Sequence, residues 1–261
     1  MKGMDRSQII VGTSGFSFAD WVGPFYPPGT SDKDMLGLYA EHFGVVELNY
    51  TYYAMPSIAG LESLAVRSPE RFEFWVKANR EFTHKGNLEP AKPFVEAMYP
   101  LAQRGKLGGI LIQLPQSFRR TAENRKYLAQ LLEALQGPPL AVEFRHASWE
   151  DPAAEASLRD RGVALVVPDA PPIADLYHHE PVITAPIGYT RFHSRNADKW
   201  YAGEKERYDY LYSRGELEEV LGKWRSITQP GQKVYAFFNN CHGGQAAENA
   251  EAFKRLLEGE G

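Results

Sequence analysis

Residues 140–146, LAVEFRH, alternate apolar and polar side chains almost to their end. Successive side chains of a strand point to opposite sides. With Leu140, Val142 and Phe144 on one face, Ala141, Glu143 and Arg145 therefore share the other. A carboxylate and a guanidinium on the inner face of a core strand are costly. The cost is understandable if the strand closes a barrel and ends at its mouth.

Runs of the same kind recur at 9–14 (IIVGTS), 45–53 (VVELNYTYY), 72–79 (FEFWVKAN), 108–115 (GGILIQLP), 164–170 (ALVVPDA), 187–194 (IGYTRFHS) and 233–240 (KVYAFFNN). Between most of them apolar residues step with helical period. Examples are Met35, Leu38, Tyr39, His42 and Phe43, then Leu128, Leu131, Leu132 and Leu135, and finally Ala246, Ala250, Phe253, Leu256 and Leu257. The sets Phe94–Leu101 and Leu217–Trp224 follow the same rule. Ser31, Ser57 and Thr121 stand where N-caps belong. The segments 148–161 and 172–179, rich in Ala, Pro and Asp, carry a weaker helical pattern.

This alternation predicts an α/β fold, a single (β/α)8 TIM-type barrel spanning 1–261 with residues 1–8 as a short N-terminal tail. An open doubly wound sheet would place a glycine-rich phosphate turn after its first strand, and VGTSGFSF (11–18) matches one poorly. Links from helix to strand are short. Those from strand to helix, at 16–30, 80–90 and 195–215, are long and aromatic, and in a barrel such loops build the functional face.

A net charge of −4 gives the chain no global attraction to nucleic acid or anionic membrane. The single cysteine, Cys241, excludes an intramolecular disulfide and fits a reducing compartment. No signal-peptide stretch precedes the first strand, and no run approaches the roughly 18 apolar residues of a membrane span. The expectation is a cytoplasmic protein with no membrane partner. The oligomeric state is not encoded in any pattern we can read.

The inside–outside rule of LAVEFRH, extended to the other strands, points Glu47, Asn49, Lys77, Gln113, Arg191 and His193 inward beside Glu143 and Arg145. Asp169 shares parity with the apolar Leu165 and Val167, so its side is ambiguous. Asn239 and Asn240 are adjacent, so one of them faces the mouth. Acids and bases in this crown nearly balance. Lys77, Arg145 and Arg191 beside the carboxylates disfavour a metal site and favour a small anionic or polyhydroxylated ligand, with no cofactor implied. Glu47 or Glu143 is the candidate general base and Lys77 or His193 the candidate general acid. Gly243 and Gly244 open the last helix, where free N–H groups offer an anion site. Trp21 and Tyr201 are candidates to wall the pocket. Cys241 next to His242 reads as incidental, because adjacent residues rarely orient as a catalytic pair.

Seven ordered motifs carry a resemblance: GTSGFSFADWVGPFYP (12–27), FGVVELNYTYYAMPS (43–57), FWVKANREFTH (74–84), LIQLP (111–115), VEFRHASW (142–149), YTRFHS (189–194) and FFNNCHGGQAAENA (237–250). With these the chain resembles the domain-of-unknown-function-72, or YecE-like, barrels from about Ile9 to Leu257. The resemblance implies a TIM-type barrel. It implies no activity, because none is established for the family. Ser194 departs from the glycine expected after the histidine.

Two other readings stand beside the metal-free enzyme. One is a nucleic-acid protein or metal-dependent phosphodiesterase of the endonuclease IV type, built from His84, His146, His193 and His242 with Glu143 and Asp169. The other is a ligand sensor using the same pocket without chemistry.

Overall fold

The computed structural model describes residues 9–259, so the tail expected at 1–8 lies outside the described residues. The strands are β1 (Ile9–Ser14), β2 (Val45–Leu48), β3 (Glu73–Lys77), β4 (Leu107–Gln113), β5 (Leu140–Glu143), β6 (Ala164–Asp169), β7 (Ile187–Phe192) and β8 (Lys233–Phe238). They form one closed barrel in sequence order, all parallel, with β8 returning to pair with β1.

The outer layer contains α1 (Asp32–His42), α2 (Tyr50–Tyr53), α3 (Ile58–Arg67), α4 (Arg80–Thr83), α5 (Ala91–Ala97), α6 (Tyr99–Gln103), α7 (Ala122–Ala134), α8 (Pro152–Asp160), α9 (Glu204–Arg207), α10 (Arg214–Ile227) and α11 (Gln245–Glu258). Ser57 and Thr121 accept backbone N–H bonds as N-caps of α3 and α7, whereas Ser31 precedes α1 with its hydroxyl turned to Asp34. The periodic stretch around 94–101 is two short helices, α5 and α6, broken at Met98.

The one departure from regular alternation is at β6. No helix connects β6 to β7; residues 170–186 run irregularly over the barrel. Pro171, Pro172, Pro181 and Pro186 each remove a backbone donor and disfavour helix at the preceding residue, which explains the weak pattern at 172–179.

Two apolar cores follow from strand parity. Val46, Leu48, Phe74, Val76, Ile110, Ile112, Val142, Leu165 and Val167 face the helices. Val45, Trp75, Leu111, Ala141, Ala164, Val166, Tyr189, Tyr235 and Phe237 fill the interior. Trp75 dominates the lower interior, with Tyr189 and Tyr235 edge-on at centroid distances of 4.8 and 5.2 Å. Gly108 makes room for it: a Cβ there would stand 2.5 Å from the indole nitrogen. With apolar and aromatic side chains filling the interior, the polar residues at the strand ends form a layer above a buried floor.

Candidate functional site

That layer is organised around Arg191, which is fully buried on β7. Its Nε and Nη2 donate to the Glu47 carboxylate at 2.9 Å each, and its Nη1 donates to Glu143 Oε2 at 2.7 Å. Glu47 also accepts from Tyr189 Oη at 2.7 Å and from the Ser14 hydroxyl. Glu143 Oε1 receives His193 Nε2 at 3.0 Å and lies 2.5 Å from Arg145 Nε, whose N–H is out of line for a hydrogen bond. Two carboxylates thus meet two guanidiniums. Burial alone would raise the Glu143 pKa, but Arg145, Arg191 and His193 outweigh it and hold the carboxyl well below its usual range. Burial likewise opposes the charge on Arg191, and the carboxylates of Glu47 and Glu143 overcome it.

The network also sets the proton on His193. Asn239 Oδ1 accepts from Arg191 Nη2 at 3.4 Å, so its amide nitrogen donates to His193 Nδ1 at 3.0 Å. The proton therefore resides on Nε2, directed at Glu143. Burial, and then the Arg145 guanidinium 3.1 Å from Nε2, push the imidazole down to about 3, so it stays neutral.

Above this layer opens a cavity of about 520 Å³. Lys77, Arg145, Arg191, Asn49 and Gln113, the residues that strand parity points inward, line it, as do Asn239 of the adjacent pair and the loop residue Tyr201. Glu47, Glu143 and His193 do not; they lie beneath, fully buried, and hold the guanidiniums in place. No carboxylate among the described residues lines the cavity. Lys77 differs from Arg145 and Arg191, the two guanidiniums held by carboxylates. Among the described residues no carboxylate lies within ion-pair distance of its Nζ, which sits 5.0 Å over the Tyr52 ring. Burial, then the Arg191 charge, depress its pKa to about 7, against the weaker pull of Glu143 and Glu47.

Five residues named from the sequence lie elsewhere. Asp169 shares the outward parity of Val167 and is clamped by Arg195, at 2.7 Å, and by Tyr212 Oη, at 2.8 Å. Asn240 turns outward to Asn249 and the Tyr210 carbonyl. Trp21 is fully buried and donates Nε1 to the Cys241 carbonyl, tying the loop after β1 to the loop after β8. Gly243 and Gly244 sit in the 3-10 turn before α11, where Gly243 N–H donates to Asp20 Oδ2 at 2.9 Å. An acidic side chain thus already occupies that anion position.

Tyr52, Gln116, His84 and Arg207 line the cavity without having been singled out for it. Tyr52, within α2, and His84, just after α4, belong to the segments that follow β2 and β3, the side of the barrel that the barrel rule marks. Arg207 belongs to the long 195–215 loop, and its guanidinium lies 5.2 Å from the Trp200 ring centre. Among the described residues no group of three or more His, Cys, Asp or Glu side chains is placed to hold a metal ion. His84, His146, His193 and His242 have separate surroundings: His146 bonds Ser148 and His84 bonds Thr83, both away from Glu143. No helix among the described residues is long and apolar enough to cross a membrane.

Residues 10–261 match the family model "Protein of unknown function DUF72". The chain belongs to the DUF72 family. The DUF72 protein of Thermotoga maritima, a crystal structure, superposes with a TM-score of 0.89 at 38% identity, covering 96% of this chain and 99% of that one. A DUF72 protein of Enterococcus faecalis gives a TM-score of 0.84 at 29% identity over 96% of this chain and 95% of the other. In sequence, the UPF0759 protein YunF of Bacillus subtilis is 29% identical, covering 96% of this chain and 95% of its own. YecE of Escherichia coli K12 is 29% identical over 56% of each. These relatives place the chain among DUF72 barrels, and none of their names states a reaction.

Proposed function

We propose that this DUF72 barrel is an enzyme that binds a small anionic compound, phosphorylated or polyhydroxylated, at its mouth and moves protons on it without a tightly held metal or cofactor. The observation carrying the reading is the position of Lys77, an amine in the cavity with no carboxylate within ion-pair distance among the described residues. A group that titrates near neutrality can both give and take a proton at physiological pH. Arg145 and Arg207 supply fixed positive charge at the cavity wall, and no lining carboxylate opposes an anion. Asn49, Gln113 and Asn239 offer amides for hydroxyl groups. The catalytic set read from the sequence divides by depth. Lys77 and Arg145 face the ligand, Arg191 reaches the cavity floor, and Glu47, Glu143 and His193 fix the guanidiniums from below.

Calorimetric titration with a panel of phosphorylated sugars and hydroxy acids tests the binding. At least one should bind, weakening about tenfold in Arg207→Ala and weakening again as pH rises through 7 and Lys77 loses its charge. Failure of the whole panel to bind at millimolar concentration would contradict the anion-binding pocket. Catalysis requires that a bound compound be consumed by the wild type and not by Lys77→Met. Binding without consumption would make the protein a sensor.

A second reading draws on the rim, where Tyr53 and Tyr201 are 61% and 59% exposed. Exposed aromatic rings beside cations suit stacking on single-stranded nucleic acid. Salt-dependent retention of a labelled oligonucleotide would support it, and no retention at low ionic strength would end it.

A further inference from the structure

We propose that Lys77 captures the carbonyl carbon of its ligand as an imine, which makes the ligand a small anionic aldehyde or ketone. The inference rests on the anion-binding cavity of the preceding section and names its substrate class.

Proton transfer alone needs only an acid or base at the mouth, and a carboxylate would serve. The molecule instead commits both of its inner carboxylates to Arg191, Arg145 and His193, leaving the primary amine uncompensated. It also fixes that amine's origin. Lys77 ends β3, its carbonyl accepts a 2.6 Å bond from the Thr51 hydroxyl, and the Tyr52 ring covers its Nζ. Burial, a neighbouring guanidinium and no carboxylate within ion-pair distance among the described residues are what activate an imine-forming lysine. The other nucleophile at the cavity, Cys241, is disqualified by its surroundings. Its Sγ points at the Ser14 carbonyl, 3.4 Å away, and burial raises its thiol pKa so that the thiolate is absent.

The chemistry balances without a further reagent. The Nζ lone pair forms a bond to the carbonyl carbon while one of the nitrogen's own protons passes to the carbonyl oxygen, which becomes a hydroxyl. A second proton converts that hydroxyl to departing water, and the protonated imine remains. It then withdraws electrons from the adjacent carbon, so a C–H or C–C bond there can break heterolytically. His84, which lines the same cavity, is suited to accept the released proton. Burial and the Lys77 charge keep its imidazole pKa below the ordinary value, and Thr83 Oγ1 steadies its Nδ1 at 2.8 Å. The phosphate or carboxylate of such a ligand would pair with Arg207 or Arg145.

The test is reductive trapping of the full-length protein. Glycolaldehyde phosphate, with neutral glycolaldehyde as control, is incubated with sodium cyanoborohydride, and adducts are mapped by peptide mass spectrometry. Lys92, whose side chain is 84% exposed, serves as the internal comparator. Lys77 should be alkylated roughly tenfold or more faster than Lys92, because far more of it is unprotonated at neutral pH. The rate should rise with pH through about 7, fall when inorganic phosphate is added, and vanish at this site in Lys77→Arg. Alkylation of Lys77 no faster than Lys92 would overturn the proposal. Calorimetry of glycolaldehyde phosphate without reductant separates the two possible failures. Binding without trapping overturns the imine and leaves the anion-binding cavity standing; no binding overturns both.

Discussion

Lys77 carries an energetic cost that its neighbours impose. In the unfolded chain a lysine keeps its proton to about pH 10.4, whereas in the barrel Lys77 releases it near 7. Between those values the unfolded state binds more protons, so stability rises with pH across that window and the cost of the buried charge is fully felt below pH 7. Lys77→Met should therefore stabilise the fold by about 2 kcal/mol at acid to neutral pH, after allowance for solvent screening. Urea titrations should show that gain shrinking as pH approaches 10. His193 and Glu143 act at the acid end. The unfolded imidazole protonates near 6.5, but the folded one resists to about 3, and folded Glu143 ionises well below an ordinary carboxyl. Both make the unfolded state bind more protons as acidity grows, so stability should fall steadily from about pH 6.5 downward. Arg191→Met should cost about 3–5 kcal/mol in chemical denaturation, because it strands the buried Glu47 carboxylate and removes one of the two guanidiniums on Glu143. Arg191→Lys should recover only part of that, since an ammonium cannot reproduce the fork. The inward placement of Glu47, Glu143 and Arg191 was readable from parity alone. Their depth was not, because parity tells which way a side chain points and nothing about what lies over it.

Among the elements, α3 has an unusual ending. Lys106, buried just before β4, sends its Nζ across to the Ala65 and Ser68 carbonyls at 2.6 and 2.8 Å and to the Ser68 hydroxyl at 2.9 Å. An ammonium satisfying the last carbonyls of a helix acts as a C-terminal cap. Lys106→Met should cost about 1–3 kcal/mol by leaving those acceptors unpaired, with faster hydrogen exchange confined to 58–69. The link from β6 to β7 shows where sequence periodicity stops being informative. Eight strands were legible from alternation, but the sixth helix was weak in the sequence and is absent from the structure, replaced by a proline-rich segment. That segment still serves the site: Leu176 bridges to His146 and lines the cavity. Asp169, the residue whose parity was ambiguous, belongs to the same region. Its strand ends with Pro168 on the inward side and the carboxylate outward, where Arg195 holds it.

At the scale of the whole molecule, the barrel separates a dry interior from a polar mouth and then sorts the mouth by depth. The lower tier neutralises itself, with two carboxylates against two guanidiniums. The upper tier keeps Lys77 and Arg207, which lie against the Tyr52 and Trp200 rings and have no carboxylate within ion-pair distance among the described residues. A chain of net charge −4 thus presents a locally cationic hollow, where field lines are focused by low-dielectric walls. The account stands or falls on the amine at the centre of that hollow. Carbon NMR of protein carrying ¹³C-labelled lysine follows each Cε through a pH titration and reads it directly. One signal, removed in Lys77→Arg, should titrate with a midpoint near 7. If instead the Lys77 signal holds its charged-state shift to above about pH 10 with the exposed lysines, then a counter-ion or water neutralises the site and the central claim is wrong.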